Sequence, residues 1–125
     1  MTGLGLRQDP AVASIERILE EAAVRSPAGS WQGRVRHAVY ICACCTEDAS
    51  PDWIIYDTDD GIGWRRFPNG LPEDEEVDAP CRADGHADPA DVLRWLEGTA
   101  DDPWTSGDGD KRARKAVSGL RRWLN

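Results

Sequence analysis

The chain has 125 residues, 40% of them hydrophobic and 30% charged, with a formal net charge of −8. That size supports one domain with one modest core, and the composition excludes an intrinsically disordered chain. No apolar run approaches the roughly 18 residues that a membrane-spanning helix needs, and no signal-peptide pattern opens the chain, so the expectation is a cytoplasmic protein with no membrane partner.

Residues 1–8 are glycine-rich and read as a flexible N-terminus. Asp9-Pro10 then supplies a cap followed by proline at the first helical position, and Val12, Ile15, Ile18, Leu19 and Ala22 follow at helical spacing until Ser26-Pro27 stops the run. From Trp31 to Ile41 the pattern changes to period two, with Val35, His37, Val39 and Ile41 on one side, which predicts a strand. Trp53 to Tyr56 is a second strand, Asp59-Asp60-Gly61 a hairpin turn, and Gly63 to Phe67 a third strand.

Residues 71–80 form an acidic loop with almost nothing to bury. Asp88-Pro89 repeats the cap-plus-proline device and opens a helix through Val92, Leu93, Trp95 and Leu96 that ends at Gly98. A polar loop spans 99–109. A basic amphipathic helix follows over 110–125, with Ala113, Ala116, Val117, Leu120 and Leu124 on one stripe. The expected fold is α+β: a three-stranded antiparallel sheet with an N-terminal helix and two C-terminal helices.

Cys42-Ala-Cys44-Cys45 contains a CxxC pair, and Cys81 with His86 a Cys-x4-His pair. Two local pairs are the usual layout of a tetrahedral structural zinc site, so Cys42, Cys45, Cys81 and His86 are the expected zinc ligands, with Cys44 as the alternative in the first pair. The competing reading treats the cysteines as small apolar residues at a sheet end. His37, set among Val35, Val39 and Ile41, reads as a core histidine. Asp57-Thr58-Asp59-Asp60-Gly61 begins like a calcium loop but lacks the glycine at the sixth position and has Pro68 where the bidentate glutamate belongs; Asp59-Asp60-Gly61 is better explained as turn chemistry.

Charge is unevenly placed. Residues 111–125 hold six basic side chains and no acid, which leaves nine basic against 23 acidic side chains over residues 1–110, a body of −14. No paired carboxylates, phosphate-binding loop or nucleophile triad stands out. The expected function is that of a non-catalytic regulatory or adaptor protein that docks a basic protein partner. Its contacts would be Glu73, Asp74, Glu75, Glu76 and Asp78, with Trp104 as the aromatic anchor. The alternative is a zinc-stabilised, nucleic-acid-associated regulator using Lys111, Arg112, Arg114, Lys115, Arg121 and Arg122.

Overall fold

The computed structural model describes residues 10–28, 35–42, 51–67, 79–99 and 111–124. Helix α1 is Pro10–Arg25, and strands β1 (His37–Cys42), β2 (Asp52–Asp57), β3 (Ile62–Phe67) and β4 (Cys81–His86) follow it. Helices α2 (Pro89–Leu96) and α3 (Lys111–Leu124) complete the order. The fold is α+β, with one sheet and three helices in the expected positions.

The sheet differs from the expectation in strand number and type. It has four strands in the order β3-β2-β1-β4, and β4 lies parallel to β1, so it is mixed. The added strand, Cys-Arg-Ala-Asp-Gly-His, carries residues that are depleted from strands, and its sequence offers no period-two pattern. Its backbone groups are satisfied by β1, whose register runs from His37↔Cys81 to Cys42↔His86. Ala87 N–H extends that ladder by donating to the Cys42 carbonyl at 3.1 Å.

Register partners share a sheet face, so the pairing sorts the strands into two surfaces. One face carries Ile62, Asp57, His37 and Cys81 in its first row, then Trp64, Ile55, Val39 and Ala83, then Arg66, Trp53, Ile41 and Gly85. All three helices pack here: α1 against β3 and α2, and α3 along β4 and β1. Val12, Ile15, Leu19, Val39, Ile41, Trp53, Ile55, Val92, Leu96 and Leu120 form the centre of this core. The opposite face is closed as well, with Ala38, Tyr40, Ile54, Tyr56 and Phe67 buried beside Ala28 and Val35. Burial of Tyr56 pushes its hydroxyl pKa up, with Arg65 opposing the shift.

Three of the six tryptophans tie layers together through carboxylates. Trp53 Nε1 donates to Glu16 at 2.9 Å, Trp64 Nε1 to Glu20 at 3.3 Å and Trp123 Nε1 to Asp57 at 2.8 Å. Glu16 and Glu20 are one helical turn apart on α1, so two neighbouring strands hold the same helix face. Arg66 adds a second bond to Glu16 at 3.3 Å. Each indole gives apolar area to the layer and finds a partner for its single donor.

One glycine in this part of the fold is required by close approach and another by its backbone angle. The amide of Ile62 donates to the Ser26 carbonyl at 2.7 Å, and Ala28 N–H donates to the Ile62 carbonyl at 3.2 Å, joining the end of α1 to the start of β3. Any Cβ on Gly61 would fall on that Ser26 carbonyl. Gly98, at φ 80°, ends α2 as expected, its amide donating to the Trp95 carbonyl. Asp88 occupies the N-cap position of α2 but makes no side-chain capping bond.

Candidate functional site

A polar cluster is built on Asp57, which is 0% exposed at the end of β2. The His37 backbone amide donates to Oδ1 at 3.0 Å, and the ring donates from Nδ1 at 2.9 Å to Oδ1, with Oδ2 at 3.1 Å. Trp123, reaching down from α3, donates to Oδ2. A fully buried carboxyl is tolerated only with such partners, and here they come from a strand and a helix. His37 is thus the core histidine that the alternation of β1 predicts. Its partner Asp57, to which the sequence assigns no role beyond the rejected calcium loop, is fully buried.

Chemically, an imidazole oriented by a buried carboxylate is half of a nucleophile triad. Cys81 is the register partner of His37 on β4, so thiol, imidazole and carboxyl stand in one row across three strands. The nitrogen that would move a proton, Nε2, faces α3: an ideal Cβ on Gly119 would stand 2.5 Å from it. Helix α3 therefore closes over the imidazole, and Cys81 packs against the apolar core. The row joins α3 to the sheet, and the residue that permits the close approach is Gly119.

The expected zinc ligands Cys81 and His86 are held apart. Cys81 and His86 stand at opposite ends of β4, five positions apart on a strand, and so face opposite sides some 16 Å apart. They do not form the local pair that their spacing suggests, because the segment is a strand and not a turn. Cys42 and His86 are register partners on one face instead. Among the described residues no group of three or more His, Cys, Asp or Glu side chains is placed to hold a metal. Cys44 and Cys45 lie outside the described residues.

Helix α3 carries the basic set. Ala116, Val117, Leu120 and Leu124 are buried, while Lys111, Arg112, Arg114, Lys115 and Arg122 are exposed. Arg121 turns inward: it donates to the backbone carbonyls of Trp95 and Leu96, and its guanidinium lies 5.6 Å from the centre of the Trp95 ring. Burial lowers its pKa from the usual arginine value. Arg121 is thus a half-buried clamp between α3 and α2. The other expected contacts, Glu73, Asp74, Glu75, Glu76, Asp78 and Trp104, lie outside the described residues.

No family model, curated protein or solved structure matches this chain. No helix among the described residues is long and apolar enough to cross a membrane.

Proposed function

We propose that this chain is a non-catalytic binding protein whose acidic body docks a basic protein surface. The observation that supports it is the fixed segregation of charge. An unattached +6 tail would fold over the −14 body and mask it. Helix α3 is instead tied down by its apolar stripe, by Trp123 on Asp57 and by Arg121 on the α2 carbonyls, so its cations stay in one place. The acidic surface elsewhere then remains available to steer a basic partner. Glu73, Asp74, Glu75, Glu76 and Asp78 are the contacts this reading assigns, with Trp104 as the buried anchor.

The test immobilises the wild-type protein and a variant with Glu73, Glu75 and Glu76 changed to Gln and Asp74 to Asn, and passes host extract over both. Basic proteins held only by the wild type are then measured kinetically. The expected result is an on-rate several-fold slower for the variant, with a flatter salt dependence. An on-rate unchanged by the quadruple substitution refutes the assignment.

A second reading is favoured by the outer face of α3, where Lys111, Arg112, Arg114, Lys115 and Arg122 are exposed with no acid among them. Such a face suits a phosphate backbone. Retention on duplex DNA at low salt, lost as salt rises and lost in a Lys111→Gln/Lys115→Gln variant, would support it over the first.

A further inference from the structure

The cations of helix α3 differ from several others in the fold by what they face. Arg36, Arg66, Arg82 and Arg94 each pair with an acid, at Asp59, Glu16, Asp84 and Asp91. Lys111, Lys115 and Arg122 are exposed and form no ion pair among the described residues. Arg112 and Arg114 flank them but already have interactions within the protein, and Arg121 is turned to α2.

Helical geometry puts the three on one line. At 3.6 residues per turn, Lys111, Lys115, Ser118 and Arg122 fall within an arc of about 60° and along a rise of about 16 Å. The line lies opposite the buried stripe of Ala116, Val117, Leu120 and Leu124, so docking the stripe turns the line out to solvent. Ser118, short and exposed, leaves room for a ligand to approach the helix and adds a hydroxyl donor. Three inward contacts hold the line still: Trp123 on Asp57, Arg121 on the α2 carbonyls, and Gly119 against His37.

A straight, fixed row of unpaired cations complements a stiff, regular polyanion. One strand of a nucleic-acid duplex passes about five phosphates in 16 Å of its axis. The line carries no Asn or Gln to bond a base edge, and no aromatic ring to stack an unpaired base. Trp123, the nearest ring, is half-buried, bonded to Asp57 and covered by the Arg122 guanidinium at 4.7 Å. The −14 body repels phosphates, which limits the contact to the line.

We infer that Lys111, Lys115, Ser118 and Arg122 dock along the phosphate backbone of a duplex without reading its sequence. On the nucleic-acid reading of α3, on which this rests, three cations neutralise three phosphates and Arg121 takes no part.

The test measures binding of the full-length protein to short fluorescent DNA duplexes across a salt series. The logarithm of affinity should fall against the logarithm of salt with a slope of about −2.7, three phosphates at about 0.9 each. Lys111→Gln, Lys115→Gln and Arg122→Gln should each reduce that slope by about 0.9, while Arg17→Gln, at an exposed cation of α1, leaves it unchanged. Duplexes of unrelated sequence should bind equally, and the single strand more weakly. All the replaced side chains are exposed, and far-ultraviolet dichroism verifies the fold of each variant. Duplex binding with a slope that ignores the three substitutions overturns the assignment and leaves the nucleic-acid reading standing; no duplex binding at low salt refutes both. Preference for one sequence or for the single strand also overturns it. Self-association abolished by Lys115→Gln would give the line to a second copy instead.

Discussion

Replacing Gly119 with alanine sets two physical effects against each other. In an exposed helix interior, Gly→Ala is stabilising by about 0.5–1 kcal/mol, because alanine loses less backbone entropy. In this protein the added methyl would meet Nε2, Cδ2 and Cε1 of His37 at 2.5–2.6 Å, inside any ordinary contact. The ring cannot swing aside freely, since Nδ1 is bonded to the buried Asp57. Overpacking of this kind costs about 1–3 kcal/mol, so the expected net effect of Gly119→Ala is a loss of about 1–2 kcal/mol.

Removing the imidazole should reverse the sign. His37→Ala alone loses the ring's bond to Asp57 and costs about 1–3 kcal/mol, with the carboxyl still held by Trp123 and the residue-37 amide. In that background the methyl has room, and Gly119→Ala should gain its about 0.5–1 kcal/mol of propensity. The four proteins form a double-mutant cycle with a coupling of about 2 kcal/mol, read by urea unfolding as midpoint shifts of about 1 M at constant slope. If Gly119→Ala stabilises the wild type as much as it stabilises His37→Ala, α3 does not press on the imidazole and the reasoning fails.

Trp123→Phe keeps most of the aromatic area but removes the donor to Asp57, and should lower unfolding free energy by about 1–3 kcal/mol in the same assay. Gly61→Ala forces a methyl into the Ser26 carbonyl, which as backbone cannot rotate away, and should cost about 2 kcal/mol or more; an unchanged midpoint would remove the α1–β3 link. The Tyr56 hydroxyl titrates higher in the fold than in the unfolded chain, so the folded state holds its proton longer. The stability this contributes is complete below about pH 10 and declines as pH rises through the folded pKa. A stability-against-pH series should show that alkaline decline flattened in Tyr56→Phe.

The helices and three of the strands are legible in the chain because their signals are local. The apolar spacing of α1, the Pro89 start and Gly98 stop of α2, and the alternation through Val39 and Ile41 each act within a few residues. Strand β4 is illegible for the opposite reason. Arg82, Asp84, Gly85 and His86 are strand residues only because β1 offers an unpaired edge, and that information lies 44 positions away. The same distance hid the polar cluster. Asp57 sits two residues before a turn motif with no local signal of its own, while its partners, His37 and Trp123, are 20 and 66 positions off. Cys81 and His86 are a third case: their spacing suits a local pair only if the segment turns, and pairing with β1 keeps it straight. Arg121 reads with the other cations of a basic helix; only the position of α2 reveals the clamp.

The parallel placement of β4 also orders events in time. Strands β2 and β3 meet at Asp57↔Ile62, across five positions, whereas β1 meets β4 across 44. Loop-closure entropy makes the longer closure about 2 kcal/mol more costly before any contact repays it. The β1-β2-β3 meander is thus expected to assemble first, and β4 to join it with α3 as a later unit. In the mature protein the same unit should open first, its amides along Cys81–His86 exchanging with solvent ahead of those of Asp52–Asp57. Each such opening would uncover the Cys81 thiol and expose it to solvent-borne alkylating reagents ahead of any thiol held in the meander.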